Sequence, residues 1–136
     1  MYSDRRPTGC VLIVEDSEDL RDIFCRALLD GGFEVAAAGT GQQGMELASS
    51  GCFDVLVVDL GLPDMKGQDL IRSLRLAGNH SRIAVLSGLA GSLDADEFRE
   101  LGVDRILPKP MRLKEMLDEV RGLVAAGRLA AEEVRQ

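Results

Sequence analysis

The sequence has no apolar stretch long enough to cross a membrane, because its hydrophobic runs have only the length of strands. Its N-terminal MYSDRRPTG carries two arginines but lacks the apolar segment of a signal peptide, so we expect residues 1–8 to form a disordered arm. An excess of basic residues is also missing, since the formal net charge is -7 at pH 7. Binding to nucleic-acid phosphates needs a basic surface. We therefore expect a protein partner, and neither nucleic acid nor a membrane.

The sequence also lacks paired cysteines. Cys10, Cys25 and Cys52 are odd in number and have neither a C-x-x-C spacing nor a neighbouring histidine, which argues against a disulfide framework and against a zinc site. We expect reduced, mostly buried thiols in a cytosolic protein. The single histidine, His80, falls in an apparent loop without partners for a catalytic triad, so we expect it to be solvated.

What the chain does contain is a regular alternation of strand and helix patterns. At 136 residues it has the length of one domain. Apolar, β-branched runs predict five strands: Cys10 to Val14, Phe33 to Ala37, Phe53 to Val58, Ile83 to Leu86 and Arg105 to Leu107. Segments with the helical spacing of apolar residues separate them. We predict a doubly wound α/β fold, in which a five-stranded parallel sheet carries helices on both faces.

Chemically active side chains follow several of these predicted strands. Glu15 and Asp16 follow the first strand, Asp59 the third, Ser87 the fourth and Lys109 the fifth. The carboxyl ends of parallel strands meet at one edge of a sheet, so we expect these side chains in one pocket. Carboxylates within ~4 Å of each other repel by ~4 kcal/mol at an effective dielectric constant of ~20, so such a cluster needs a cation. Oxygen ligands without Cys or His favour Mg²⁺.

These side chains are suited to phosphoryl transfer. Asp59 can be a third metal ligand, or a nucleophile that forms an aspartyl phosphate. Lys109 offers a positive charge to phosphoryl oxygens and Ser87 offers a hydroxyl group. With the nucleophile, metal, cation and donor in place, catalysis is mainly a matter of positioning and electrostatics.

Taken together, the motifs resemble the receiver domain of two-component response regulators. The matching segments are VLIVEDSED, VLVVDLGLPDMKG, IAVLSGLA and ILPKP, in the family's order and spacing, and the similarity covers residues 9–125. The resemblance implies a CheY-like (flavodoxin-like) fold with strand order 2-1-3-4-5. It also implies a cytoplasmic signalling phosphoacceptor, with self-phosphorylation and autodephosphorylation as its only enzymatic activities.

The resemblance assigns an acceptor and a metal site. Asp59 would accept a phosphoryl group from a sensor histidine kinase or a phosphotransfer protein. Glu15, Asp16 and Asp59 would bind Mg²⁺ together with the backbone carbonyl of Gly61.

Further roles follow from the same resemblance. Ser87 would bond a phosphoryl oxygen on activation, and Lys109 would pair with the phosphoryl group. Gly88 would leave the phosphorylation site open, and the peptide bond between Lys109 and Pro110 would be cis.

One position departs from the family pattern. Members typically carry Tyr or Phe three residues before the lysine, and here Ile106 stands there. A branched aliphatic side chain cannot make the same rotamer change as an aromatic ring. We predict that any surface change on phosphorylation centres on Ser87 and the loop 88–92 instead.

Three enzyme or ligand-binding alternatives need to be weighed. Residues 39–44 read G-x-G-x-x-G, formally a dinucleotide fingerprint. However, Thr40 and Gln43 also have the spacing of a helix capping box, which we favour. A Mg²⁺-dependent phosphatase would place its nucleophilic aspartate after the first strand, where Glu15 and Asp16 already stand. A flavin site would need a donor-rich loop in that same place.

The attachment of the domain stays open at this point. It can be a free-standing regulator that docks on a target protein, a receiver excised from a hybrid kinase or transcription factor, or a binding-only pseudoreceiver. The resemblance further implies phosphorylation-dependent pairing of two copies. Gly122 and Gly127 each cost ~1 kcal/mol relative to Ala in a helix, so we expect residues 126–136 to be a frayed helix extension or a linker stub rather than a coiled coil.

Overall fold

The structure is a computed structural model that describes residues 9–88 and 93–135. Within these residues the strands are β1 (Cys10–Val14), β2 (Glu34–Ala38), β3 (Val55–Asp59), β4 (Arg82–Ser87) and β5 (Arg105–Pro108). The helices are α1 (Glu18–Asp30), α2 (Gly41–Ser50), α3 (Gly67–Leu76), α4 (Ala95–Glu100) and α5 (Leu113–Arg135). The arm predicted for residues 1–8 lies outside the described residues.

The strands form one parallel sheet in the order β2-β1-β3-β4-β5. Helices cover both faces, because one apolar cluster joins the sheet to α1 and α5 and a second joins it to α2, α3 and α4. Every residue of β3 is buried, as expected for a central strand covered on both sides. The predicted fold class and strand order are confirmed.

Two predicted strand starts were too early. The second strand begins at Glu34 and not at Phe33, because the Phe33 amide donates to the carbonyl of Leu28 and so closes the end of α1. Gly32 at φ +94° makes this reversal of the chain possible. Phe33 is nevertheless buried, so its apolar character reflects packing and not strand pairing. The third strand likewise begins at Val55 and not at Phe53.

Helix α5 continues to Arg135 without a break at Gly122 or Gly127. The part of α5 around Gly122 is anchored in the core by the buried side chains of Val120 and Leu123. Each glycine costs ~1 kcal/mol of helix stability relative to Ala, which does not end a helix held in this way. In the described part of the chain, no helix has the length and apolar character required to traverse a lipid bilayer.

The cysteines are less buried than predicted. All three are free thiols, but Cys10 and Cys25 are half-buried and Cys52 is exposed. Cys52 lies in the segment between α2 and β3, outside the helices and strands, and its exposure corrects the expectation of mostly buried thiols. His80 is exposed in the loop before β4, as predicted.

Candidate functional site

The side chains predicted to form one pocket meet at the carboxyl edge of the sheet. Glu15 immediately follows β1, Asp59 ends β3, Ser87 ends β4 and Lys109 immediately follows β5. Hydrogen bonding continues past the strand ends: the Lys109 amide donates to the Ser87 carbonyl at 2.9 Å, and the Glu15 amide donates to the Ala38 carbonyl at 3.0 Å. The sheet itself therefore fixes the backbone from which these side chains project.

Three carboxylates gather at this edge. Glu15, Asp16 and Asp59 each offer one oxygen, and these oxygens all lie within 4.8 Å of one another. Glu15 is fully buried, Asp59 is 7% exposed and Asp16 is exposed. The cluster is thus open to solvent on the Asp16 side, which gives a small ion a route to the buried carboxylates.

Lys109 bridges the two buried carboxylates. Its Nζ lies 2.7 Å from Glu15 Oε1 and 3.2 Å from Asp59 Oδ2. One lysine charge does not satisfy every acceptor, because the buried Glu15 Oε2 has no hydrogen-bond partner within the described residues. A buried carboxylate oxygen without a partner is costly, so the site is built to receive a further positive ligand. The all-oxygen donor set fits Mg²⁺.

The pKa values of the two buried carboxyl groups, Glu15 and Asp59, are shifted in opposite directions. Burial, followed by the neighbouring Asp59 carboxylate, raises the pKa of Glu15 from the ordinary 4.5 to about 7, although Lys109 opposes this. Burial also works against ionisation of Asp59, but the neighbouring Glu15, a hydrogen bond from the Gly61 amide and the charge of Lys109 together lower its pKa. Lys109 itself is penalised by burial, yet its two carboxylate partners raise its pKa. Asp59 therefore ionises at a lower pH than Glu15 does.

A groove of about 460 Å³ opens beside Asp59. Its walls are formed by Asp59, Leu60, Gly61, Lys66, Gln68, Ser87, Gly88, Leu93 and Lys109. Gly88 is exposed, and a Cβ built on it would meet no atom within 4 Å among the described residues. The groove is large enough for a phosphoryl group, and it brings the acceptor, the lysine and the Ser87 hydroxyl to one place.

The segment after β3 folds back tightly on the acceptor strand. Gly61 pairs with Lys66 in an isolated antiparallel bridge, and the Gly67 amide donates to the Leu60 carbonyl at 3.1 Å. A Cβ on Gly67 would lie 2.8 Å from Leu60 Cα and 3.0 Å from the Asp59 carbonyl oxygen. Only glycine therefore fits where α3 begins, and this close approach holds Gly61 next to the carboxylates.

Two positions singled out by the family resemblance have defined surroundings. The Lys109–Pro110 peptide bond is cis. Ile106 in β5 is partly buried and packs against the apolar cluster on the α2, α3 and α4 side of the sheet. Residues 89–92 of the predicted switch loop lie outside the described residues.

The G-x-G-x-x-G segment forms a helix cap. The Thr40 hydroxyl oxygen accepts a hydrogen bond from the Gln43 amide at 3.1 Å, and Gln43 Oε1 accepts one from the Gly39 amide at 3.0 Å. This is the reciprocal arrangement of a capping box, with the second bond reaching one residue further back than usual. The capping interpretation accounts for the residues that also read as a dinucleotide motif.

Sequence reasoning missed two residues close to the site. Arg21 Nη1 donates to the Glu15 carbonyl at 3.0 Å, and the Asp64 carboxylate accepts from the first amides of α2. The Arg21 contact spans 6 residues of sequence and the Asp64 contacts span 22 and 23, and in each case one polar side chain binds backbone groups of another segment. No apolar periodicity or motif spacing signals a contact of this kind.

A family model described as the response regulator receiver domain matches residues 11–121. The chain belongs to the response regulator receiver family. Among curated relatives, the receiver sequence is 36% identical over 117 residues to the transcriptional regulatory protein CusR of Escherichia coli. That match covers 86% of this chain and 52% of CusR, so the chain spans about half the length of this relative.

Solved structures show the same fold. The Francisella response regulator 1452 receiver domain superposes with a TM-score of 0.81 at 24% identity, covering 87% of this chain and 98% of that one. A sensor protein from Polaromonas sp. JS666 superposes with a TM-score of 0.80 at 28% identity, covering 90% of this chain and 98% of that one. The receiver fold thus occurs in chains described both as regulators and as sensors.

Proposed function

We propose that Asp59 accepts a phosphoryl group and that Glu15, Asp16, Asp59 and the backbone carbonyl of Gly61 hold Mg²⁺ for this reaction. The observation that carries the proposal is the cluster itself: three carboxylates offer oxygens within 4.8 Å of one another, and the buried Glu15 Oε2 has no partner within the described residues. When bound, Mg²⁺ would offset the negative charge on the transferring group.

The protein's own side chains account for the other requirements of the reaction. An ionised Asp59 oxygen attacks phosphorus while the bond from phosphorus to the donor breaks, and the bonding electron pair leaves with the donor. The leaving atom is an imidazole nitrogen of a phosphohistidine, or a carboxylate oxygen of acetyl phosphate. Lys109, already 3.2 Å from Asp59, pairs with the new phosphoryl group, and Ser87 donates its hydroxyl to a phosphoryl oxygen.

The domain then signals through its partners. We propose that a sensor histidine kinase or a phosphotransfer protein donates the phosphoryl group in the cytoplasm. A downstream protein or an output domain then binds the phosphorylated domain. Residues 9–125 form the receiver unit and residues 126–136 its extension or link. Pairing of two phosphorylated copies is expected as well, and light scattering before and after activation tests it, since an unchanged mass argues against pairing.

A receiver taken from a longer chain is the second candidate. It is favoured by the match to CusR, of which the aligned region is 52%, and by the likeness to a protein described as a sensor. The chemistry proposed for Asp59 is the same in either arrangement. The sequence of the full gene distinguishes the two, because only a receiver taken from a longer chain is continued there by a further domain.

The test is incubation with acetyl phosphate and Mg²⁺, followed by intact-mass spectrometry. We expect a gain of one phosphoryl group in the wild type and none in Asp59→Asn. Asp69→Asn, an exposed acid on α3, is the matched control and is expected to be modified like the wild type. Absence of modification with acetyl phosphate and with phosphorylated kinase would instead support a binding-only pseudoreceiver.

The position of the signalling change is tested by amide exchange. Because Ile106 replaces the usual aromatic residue, we expect beryllofluoride, a phosphoryl mimic, to alter exchange around Ser87 and in the loop 88–92. A loop whose exchange is the same with and without the mimic would contradict this.

A further inference from the structure

The segment between β3 and α3 reaches across to the start of α2. Asp64 Oδ1 accepts a hydrogen bond from the Gly41 amide at 2.8 Å, and Asp64 Oδ2 accepts one from the Gln42 amide at 2.9 Å. The first amides of a helix have no partner within the helix. One carboxylate thus satisfies two of them and ties two segments 22 to 23 residues apart in sequence.

A second contact beside it fixes the same point. A Cβ built on Gly41 would lie 2.4 Å from Met65 Cγ and 2.6 Å from Met65 Sδ. Met65 therefore occupies the space that a side chain at position 41 would need. Adjacent residues of the loop bind the helix by two independent means, one polar and one steric.

The other end of this loop carries the proposed metal-binding carbonyl. The Gly61–Lys66 bridge closes the loop, and the tight approach of Gly67 to Leu60 joins it to the acceptor strand. Gly61 is exposed, and a Cβ on it would meet only Asp59 Oδ1, at 4.0 Å, among the described residues. The Gly61 amide donates to Asp59 Oδ1 at 3.1 Å, but side-chain packing does not hold the Gly61 backbone further. Its orientation depends on the closure of the loop and on the anchor at its tip.

We propose that Asp64 is a positioning residue for the metal site: by binding the amides of Gly41 and Gln42, it holds the loop so that the Gly61 carbonyl points at the cation. This inference rests on the Mg²⁺ site of the proposed function. It also gives a purpose to the glycine-rich segment 39–44, since Gly41 makes room for Met65.

The test measures Mg²⁺ affinity of the whole chain by isothermal titration calorimetry. Loss of a group that orients a metal ligand typically lowers metal affinity by about tenfold or more. We therefore expect Asp64→Ala to bind Mg²⁺ about tenfold more weakly than the wild type. The loss of affinity should be smaller for Asp64→Asn, which keeps one acceptor oxygen. Titrations in about 1 M KCl, where the screening length is ~3 Å, remove the long-range effect of the deleted charge. Asp69→Asn deletes an exposed charge nearby in sequence and is expected to bind like the wild type.

Kinetics separate positioning from general damage. The rate of phosphorylation by acetyl phosphate in Asp64→Ala should fall at low Mg²⁺ and return close to the wild-type rate at saturating Mg²⁺, because only the binding of the ion is impaired. A lower rate that persists at saturation would contradict the proposal. Far-UV circular dichroism checks that each variant is folded.

A second pair of variants covers the case in which Asp64→Ala does not fold. Gly41→Ala introduces a Cβ against Met65 and is expected to weaken Mg²⁺ binding, and adding Met65→Ala should remove the clash and restore the affinity. Unchanged affinity in both Asp64→Ala and Gly41→Ala would overturn the positioning role while leaving the metal site intact. If the wild type itself binds no Mg²⁺, the proposed function fails, and the inference fails with it.

Discussion

The buried carboxyl group of Glu15 makes the stability of the metal-free domain depend on pH. Burial raises its pKa from 4.5 to about 7. A carboxyl group with a raised pKa binds its proton more tightly in the folded state, so its contribution to the unfolding free energy is fully present below pH 4.5 and is lost as pH rises to about 7. The lowered pKa of Asp59 acts in the opposite direction, but only in more acidic solution, outside this window.

The size of this effect follows from the shift. Each tenfold change in proton affinity corresponds to ~1.4 kcal/mol, so the wild type loses about 3 kcal/mol of unfolding free energy across the window. Glu15→Gln keeps the size of the side chain but cannot ionise. We therefore expect the unfolding free energy of the variant, relative to the wild type, to rise by about 2 to 3 kcal/mol between about pH 5 and about pH 8 in EDTA.

Urea denaturation followed by circular dichroism at the two pH values measures this difference directly. Glu100→Gln, which removes an exposed acid at the end of α4, serves as the matched control substitution. With Mg²⁺ present we expect the wild type to have the higher unfolding free energy of the two proteins, because the ion stabilises only a protein that binds it. A difference between Glu15→Gln and the wild type that stays constant from about pH 5 to about pH 8 would refute the reasoning.

Two further substitutions test the frame around the site. Gly67→Ala places a Cβ 2.8 Å from Leu60 Cα, a backbone atom that cannot move without shifting the strand. We therefore expect urea denaturation to show a loss of about 2 kcal/mol of unfolding free energy, together with slower phosphorylation. A variant as stable as the wild type would contradict the close approach. Arg75 donates to four backbone carbonyls, those of residues 79, 81, 101 and 102, so Arg75→Met should lower the unfolding free energy by about 2 to 4 kcal/mol. Its control is Arg72→Met, a half-exposed partner of Asp69, for which a change of about 0.5 kcal/mol or less is expected.

Much of the fold could be predicted because its strands are apolar on both faces. A run such as Val55 to Val58 can be buried only in the middle of a covered parallel sheet, and that placement also brings Asp59 to the edge where Glu15 and Lys109 emerge. The composition of the pocket followed from topology alone. Its protonation did not, since the raised pKa of Glu15 comes from distances and burial that no linear pattern encodes.

The remaining features depend on contacts without a local signal. The sequence places Phe33 in a strand because apolar character does not distinguish a residue with strand hydrogen bonds from one that is only buried. In the structure the Phe33 amide instead donates to the Leu28 carbonyl at the end of α1. Asp64 and Arg75 each connect segments more than 20 residues apart through hydrogen bonds to backbone groups, which any polar residue in a turn can form. The continuous α5 depended on tertiary anchoring that outweighs the helix propensity of Gly122.

The acceptor pocket draws its side chains from four different strands, and the last of them, Lys109, stands 94 residues after Glu15. No contiguous fragment shorter than nearly the whole domain contains all of these groups. We therefore expect a nascent or partly unfolded chain to be unreactive toward the phosphoryl donor. Phosphorylation of Asp59, as proposed, would require that β1, β3, β4 and β5 have assembled, so a misfolded copy would not pass on a signal.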